Sequence, residues 1–509
     1  MTLLWSSYRR GQRTFRRSPI ARMVRYRATS LSFPVWIASL FCLLLLAVFG
    51  WGPNFGLVFL SLAVLFAGSW LCWRPGEPGV ALVLFGYQWV QASTALFAAN
   101  IQGVSINAVA QLASVDMEQA TALSLLGLLS IFAAFRLTAG KAKNWVVARA
   151  RDDVQILTVQ RLAVVYGGVA LAATFLLSLG SLSQGLTQPA VAFTSVKDAM
   201  FIIVAYAAFT RGGTFRTLFL CVFAIEFAAS LGGYFSSFQQ VFLYTFIAIT
   251  AANVRINVGR ILVVGLFIGF VLFLGVIWSA IKVEYRTYLN SGTGQQVVTV
   301  PWYEAIGKLA GLVATVDSDD LIVGADMLVR RLPSVEFFAG SLGYVPAVVP
   351  HTHGQLWGNA ILHPFTPRLL FPDKPVIDSS AQTNQFSGIR VAGREQGAQI
   401  SIGYMGESYI DFGRIGMFIP LIVFGAIAGF VYRRVLTLPR FAGLISFGLS
   451  VPLLMHSYYL NAETIKIVGA FVVNAIAIFA LHAFVSRFFR RTLFGKGTLR
   501  ARQTRPLIR

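Results

Sequence analysis

Runs of about twenty apolar residues recur along this chain, and each is long enough to cross ~30 Å of hydrocarbon as a helix. Hydrophobic residues make up 56% of the 509 and charged residues only 12%. That charged share is about half of what a soluble domain carries. A backbone in lipid must satisfy its own polar groups, which leaves helices or a closed barrel. The period-two alternation of barrel strands is not seen, so the expected fold class is an all-α polytopic membrane protein. Helices are expected at about 32–50, 55–73, 79–99, 119–137, 161–180, 190–210, 215–232, 236–253, 258–281, 412–432, 440–460 and 465–487, twelve in all.

The formal net charge is +22. In a soluble protein such a charge would suggest nucleic acid. Here the basic residues sit in tails and short loops around the apolar runs, as the positive-inside rule describes, so no nucleic-acid partner is expected. Arg9, Arg10, Arg13, Arg16, Arg17, Arg22, Arg25 and Arg27 precede the first helix without a single acid. Lys141, Lys143, Arg149 and Arg151 follow helix 4, Arg211 and Arg216 helix 6, and Arg255 and Arg260 helix 8. Arg433, Arg434 and Arg440 follow helix 10, and a further basic tail ends the chain. Every even-numbered boundary beyond the weaker Arg74/Glu77 loop carries the excess, which supports twelve helices with both termini cytoplasmic. The first tail is too basic for too long to be an ordinary signal peptide and suits anionic lipid. The implied location is a bacterial inner membrane. Lys197 and Asp198 make helix 6 the least regular; they are expected to pair with each other or to mark a re-entrant piece.

This count places residues 282–411 on the periplasmic side. The 130-residue segment holds nine Lys/Arg and twelve Asp/Glu and is the one stretch large enough to build a polar site. Its apolar parts, such as 305–316 and 321–329, predict short amphipathic helices lying against the bundle. The organisation is therefore a tail (1–31), helices 1–9 (32–281), a periplasmic loop (282–411), helices 10–12 (412–487) and a second tail (488–509). No internal repeat of the transporter kind is visible. Cys42, Cys72 and Cys221 lie in or beside apolar runs and form no disulfide framework or zinc spacing.

Within the loop, Arg330-Arg331 is either a helix end meeting headgroup phosphates or an anion clamp, since the guanidinium fork matches phosphate oxygens. Residues 361–388 carry Pro364, Pro367, Pro372 and Pro375, which forbid regular helix and stiffen the path. Arg368 and Lys374 project from it, either toward a lipid-linked diphosphate or into pairs with Asp373 and Asp378. Glu407 and Asp411 lie four apart where the chain re-enters the membrane, so on a helix they share a face. They suit a general base or an interfacial cap paired with Arg414. His351, His353 and His363 offer a hydrogen-bonding or catalytic imidazole; two histidines without a matching acid or Cys cluster do not make a metal site. Glu226 inside helix 7 costs about 3 kcal/mol in lipid and is expected to face the bundle, as a proton site or as a partner of Arg or Tyr. Walker, GxGxxG, GxSxG and DxD patterns are missing, which argues against ATP-driven or nucleotide-sugar chemistry.

In order, the chain shows a run of helices, GGYFSSFQQV, a large outer loop with an Arg pair, TPRLLFPDKP, a TNQ triplet and GYMGESYIDFGRIGMFIPLIVFG. This resembles the Wzy-type O-antigen and exopolysaccharide repeat-unit polymerases, which are related in plan to the O-antigen ligases. The topology agrees over nearly the whole chain, the motifs over about 361–434. The resemblance implies a GT-C-like, metal-independent glycosyltransferase without a cofactor. It would join repeat units carried on undecaprenyl diphosphate, and a chain-length regulator is an implied partner. Arg330, Arg331, Arg368 and Lys374 would meet the diphosphate, with Asn384 and Tyr409 on the glycan. Glu407 or His353 would be the base, and Arg331 would steady the leaving group. A flippase or other transporter of a lipid-linked glycan, a ligase-like enzyme and a non-catalytic scaffold are the alternatives.

Overall fold

A computed structural model describes residues 34–495 apart from 111–114, 142–143, 183, 232–237, 253–257, 293–297, 332–334, 369, 372, 375, 394–397, 440, 442 and 456–458. Helix is the regular structure throughout the described residues. The first half runs α1 (Val35–Phe49), α2 (Phe55–Cys72), α3 (Val80–Ile101), α4 (Met117–Ala139), α5 (Asn144–Gln155), α6 (Val159–Leu182), α7 (Gln184–Arg211), α8 (Thr214–Leu231), α9 (Phe238–Ala251) and α10 (Val258–Leu289). The loop segment folds into α11 (Trp302–Thr315), α12 (Ser318–Arg331), α13 (Glu336–Tyr344), α14 (Gln355–Leu362), α15 (Ser379–Ser387) and α16 (Tyr404–Gly416). Then come α17 (Phe418–Leu436), α18 (Gly443–Leu449), α19 (Pro452–Met455), α20 (Thr464–Ala480) and, after a π-helical turn at Leu481–Val485, α21 (Ser486–Phe494).

Among the described residues, nine helices are long and apolar enough to cross a membrane. Val35–Phe49, Gln239–Ala251 and Gly443–Met455 are apolar but shorter, and they fall at the remaining three expected positions. The chain is thus a polytopic helical membrane protein. Three boundaries depart from expectation. Helix α10 continues to Leu289, because Tyr285 and Leu289 extend its apolar side against α11. Helix α5 is additional to the expected set; its apolar positions Val146, Ala150 and Val154 bury one side of an otherwise charged segment. Helix α16 starts at Tyr404, well before the expected 412, and is interrupted at Gly413, whose φ of 71° lets the chain turn into α17.

Helices α4 and α17 pack closely against one another. Gly425 and Gly429 form a small-xxx-small stripe on α17. A Cβ at Gly425 would clash with the Ile131 carbonyl oxygen, and one at Gly429 with the Phe135 carbonyl oxygen and Thr138 Oγ1. Thr138 Oγ1 donates to the Ala426 carbonyl (2.7 Å) across the same seam. Matching 425 with 131 and 429 with 135 makes the two helices parallel, as expected of two even-numbered spans.

Other contacts sort the helix ends into two faces in the same way. On one face Arg211 donates to the Leu157 carbonyl (2.6 Å), the Leu444 N–H to Asp153 (3.1 Å) and Arg161 to the Phe494 carbonyl (3.0 Å). On the opposite face Asn54 donates to Asn100 (2.6 Å) and to the Val104 carbonyl (2.9 Å). The Tyr404 N–H there meets the Ala462 carbonyl (2.9 Å). This second face carries the 282–411 segment. Within that segment, α11 and α12 fold back on α10 around Trp278, Tyr285, Ala305 and Leu309. Helix α13 buries Phe338 and Ala339 against α4, α15 and α16, and α14 packs along α20. The segment therefore belongs to the same compact unit as the bundle, Trp36–Arg509.

Candidate functional site

The polar groups of the loop segment converge on the N-terminus of α20. Glu407 sits in the first turn of α16, which faces inward, so its side chain is only 3% exposed. One carboxylate oxygen accepts from Gln382 Nε2 (3.1 Å) on α15, and the other from the backbone N–H of Thr464 (2.7 Å) at the head of α20. Burial pushes its pKa up from the ordinary 4.5 to about 7. The Thr464 hydrogen bonds oppose that rise, and the carboxylates of Glu463 and Asp411 add to it.

Glu463 and Lys466, which sequence reasoning misses, complete this corner. Glu463 occupies the N-cap of α20 and is buried, and among the described residues neither of its oxygens has a hydrogen-bond donor. Lys466 Nζ stands 3.4 Å away and donates to Ser379 Oγ (3.0 Å), which in turn donates to Gln399 (3.0 Å). Native proteins rarely leave a buried carboxylate so poorly partnered. The available signal is LNAETIK, an acid and a base three apart at the head of the last apolar run. In the sequence alone it marks no more than the edge of a span.

The proline-rich stretch brings cations to the same helix. The turn His363–Phe365 packs against α20. Lys374 Nζ donates to the carbonyls of His363 (2.6 Å) and Thr366 (2.9 Å), which anchors the ammonium over the turn. Burial and then Arg368 lower the Lys374 pKa. Burial, Lys374 and Arg368, in that order, lower that of His363, so its neutral form is favoured. The hydrogen-bond partners of Lys374 are these carbonyls and not Asp373 or Asp378. Asp373 is exposed, and Asp378 instead caps α15 through the Ala381 N–H (3.0 Å). Pro372 and Pro375 lie outside the described residues.

Other anticipated residues have different surroundings. Asp411 shares the inward face with Glu407, as its spacing required, yet it pairs with no Arg414 among the described residues. It accepts from the Leu356 (3.1 Å) and Trp357 (2.9 Å) N–H groups and from the Thr352 hydroxyl, so it caps α14 from across the fold. Tyr409 is turned into the core, its hydroxyl donating to the Val345 carbonyl (2.5 Å), and thus props α13 rather than facing a glycan. Asn384 is exposed and accepts from the Val391 N–H (2.7 Å), holding the loop after α15. His353 is exposed in a left-handed turn (φ 51°), and no described hydrogen bond links it to Glu407. His351 Nδ1 lies 3.0 Å from the Ile410 carbonyl. Arg330 and Arg331 end α12, which packs along α10; their side chains lie outside the described residues. Among the described residues no three His, Cys, Asp or Glu cluster to hold a metal.

A second polar cluster lies inside the bundle. Lys197 pairs with Glu226 (2.6 Å), not with its neighbour Asp198, and Tyr166 donates to the other Glu226 oxygen. Asp198 instead accepts from Tyr244 (2.9 Å). These pairings let the charges remain within a continuous α7, because each head group is neutralised or hydrogen-bonded away from lipid.

Fold and site together define a polytopic helical membrane protein with a cluster of buried and partly buried polar groups at the head of α20. Residues 84–438 match the model of a family described as a domain of unknown function, DUF8712, and the chain belongs to that family. The match runs from α3 to the end of α17 and includes the whole loop segment, while Glu463 and Lys466 lie beyond it. No curated protein and no solved structure matches the chain.

Proposed function

We propose that the protein is a metal-independent, GT-C-like glycosyltransferase of twelve spans in a bacterial inner membrane. In this reading both termini are cytoplasmic, and lipid-linked oligosaccharide units are polymerised at the periplasmic face. The observation that supports this most is Glu407, a buried carboxyl with a pKa of about 7 beside Glu463, at the head of the helix against which the Lys374-anchored His363–Phe365 turn also packs. A base works best with a pKa close to the operating pH. The leaving group is a polyprenyl diphosphate, whose developing charge needs fixed cations.

In the transfer, a sugar hydroxyl of the incoming unit attacks the anomeric carbon of the growing chain. The new C–O glycosidic bond forms as the bond from that carbon to the diphosphate oxygen breaks. The diphosphate leaves with the electron pair, and the hydroxyl proton passes to Glu407. Lys466, Lys374 and Arg368 hold the departing charge. The glycan size profile of cells lacking the protein, complemented with wild type or with Glu407→Gln, Arg368→Ala or Lys466→Ala, tests this reading. Wild type restores long polymer and the variants leave single repeat units; unchanged polymer in the deletion strain removes the polymerase reading.

The Lys197–Glu226 and Asp198–Tyr244 contacts inside the bundle favour a second reading, transport of a lipid-linked glycan. The two differ in where the single unit accumulates after deletion. A transport defect leaves it on the cytoplasmic leaflet, and a polymerisation defect leaves it outside.

A further inference from the structure

A cleft of about 470 Å³ opens at the opposite end of the bundle, between the ends of α4 and α17 and the start of α5. Its walls are Ala139, Lys141, Trp145, Phe430, Arg433, Arg434, Leu436 and Thr437. Among the described residues three cations line it and no acid does. Lys141, Arg433 and Arg434 are exposed, and among the described residues none of them forms an ion pair. The Arg434 guanidinium lies over the Phe430 ring (4.8 Å), which leaves its edge free to donate. Trp145 and Phe430 are about half exposed, at 47% and 49%.

Position and composition together identify the ligand class. Helices α4 and α17 are both long enough to span the bilayer, so the cleft at their ends lies at headgroup depth. Its cations match phosphate oxygens. Its apolar and aromatic residues, Ala139, Leu436, Phe430 and Trp145, suit the glycerol and upper acyl carbons of a lipid. The volume lies within the range of small-molecule sites and far exceeds what one inorganic phosphate fills. We infer that this cleft is a binding site for the phosphate headgroup of an anionic lipid, with Lys141, Arg433 and Arg434 as its cationic wall. It stands apart from the polar cluster at the head of α20 and is independent of the reaction proposed there.

Native mass spectrometry of the full chain in detergent, titrated with cardiolipin, phosphatidylglycerol or phosphatidylcholine, tests this. Wild type is expected to retain the two anionic lipids well above phosphatidylcholine. The variant Lys141→Gln/Arg433→Gln/Arg434→Gln is expected to lose that preference by roughly 100-fold, at about fivefold per cation near a charged lipid surface. A control, Arg487→Gln/Arg491→Gln, removes exposed charge from α21 on the same face but outside the cleft, and retains binding. Lipid-free melting curves separate loss of binding from loss of fold. A variant that melts early is replaced by Trp145→Ala, for which a smaller loss of the anionic lipids is expected. Equal losses in cleft and control variants would reduce the effect to diffuse positive charge and overturn the inference. Displacement of bound cardiolipin by equimolar inorganic pyrophosphate would also overturn it, in favour of a soluble anion site.

Discussion

Replacing Glu407 with glutamine separates the two consequences of its burial. The carboxyl has a pKa of about 7 in the folded protein against an ordinary 4.5. For an acid shifted in this direction, the folded state is favoured while the group is protonated. That stability is fully present below about 4.5 and is lost as the pH climbs through about 7. The difference corresponds to about 3 kcal/mol of stability surrendered by the wild type between pH 5 and pH 8. A glutamine side chain in its place cannot ionise. Its carbonyl can still accept the Thr464 N–H, and a flip of the Gln382 amide can turn an oxygen toward the new NH2. The melting temperature of Glu407→Gln in detergent should therefore rise relative to wild type as pH increases from 5 to 8, and level off above. Glu407 itself ionises in the fold as the pH passes through about 7, which ends the loss of stability and creates the base, so wild-type polymerisation should increase there while the variant stays inactive. A difference in melting temperature that stays constant across pH 5–8 would refute the reasoning, because Glu407 would then be ionised in the fold over the whole range, as it is in the unfolded chain.

Further outcomes follow from the same contacts. Asp411→Ala strands two buried N–H groups at the start of α14 and the Thr352 hydroxyl; a loss of about 2–4 kcal/mol is expected in a melting assay, with Thr352→Val costing less. Tyr409→Phe removes one buried hydrogen bond to the Val345 carbonyl, so it should cost about 1 kcal/mol and leave polymer length unchanged. Lys197→Met leaves Glu226 unpaired inside the bundle and should destabilise by about 3 kcal/mol. Adding Glu226→Gln should recover most of that, as a melting comparison of the single and double variants would show.

Much of the fold could be read from the chain because lipid allows so few solutions. Apolar run length located the nine helices long enough to cross a membrane and the three shorter apolar ones. Boundaries failed where a helix end is decided by tertiary contacts, as at Leu289 under α11 or at Gly413, where a positive φ cuts a helix that began at Tyr404. The site was legible only in part. Spacing put Glu407 and Asp411 on one face, but not which helix start each would meet, α20 for Glu407 and α14 for Asp411. Asp411 is consumed as a remote helix cap, and Tyr409 as a prop for α13; neither fate leaves a local mark in the sequence. Glu463 and Lys466 were hidden because a charged pair at the start of an apolar run resembles an ordinary interfacial end. Their importance comes from α15 and α16, contributed by residues about sixty to ninety positions earlier.

Reconstitution gives the most direct test of the central claim. Purified protein in liposomes would be supplied with a polyprenyl-diphosphate-linked repeat unit, and the products resolved by size alongside the release of free polyprenyl diphosphate. A ladder of polymer with one diphosphate released per bond formed, lost in Glu407→Gln, is the predicted result. Intact repeat units moved across the bilayer without any ladder would contradict the account.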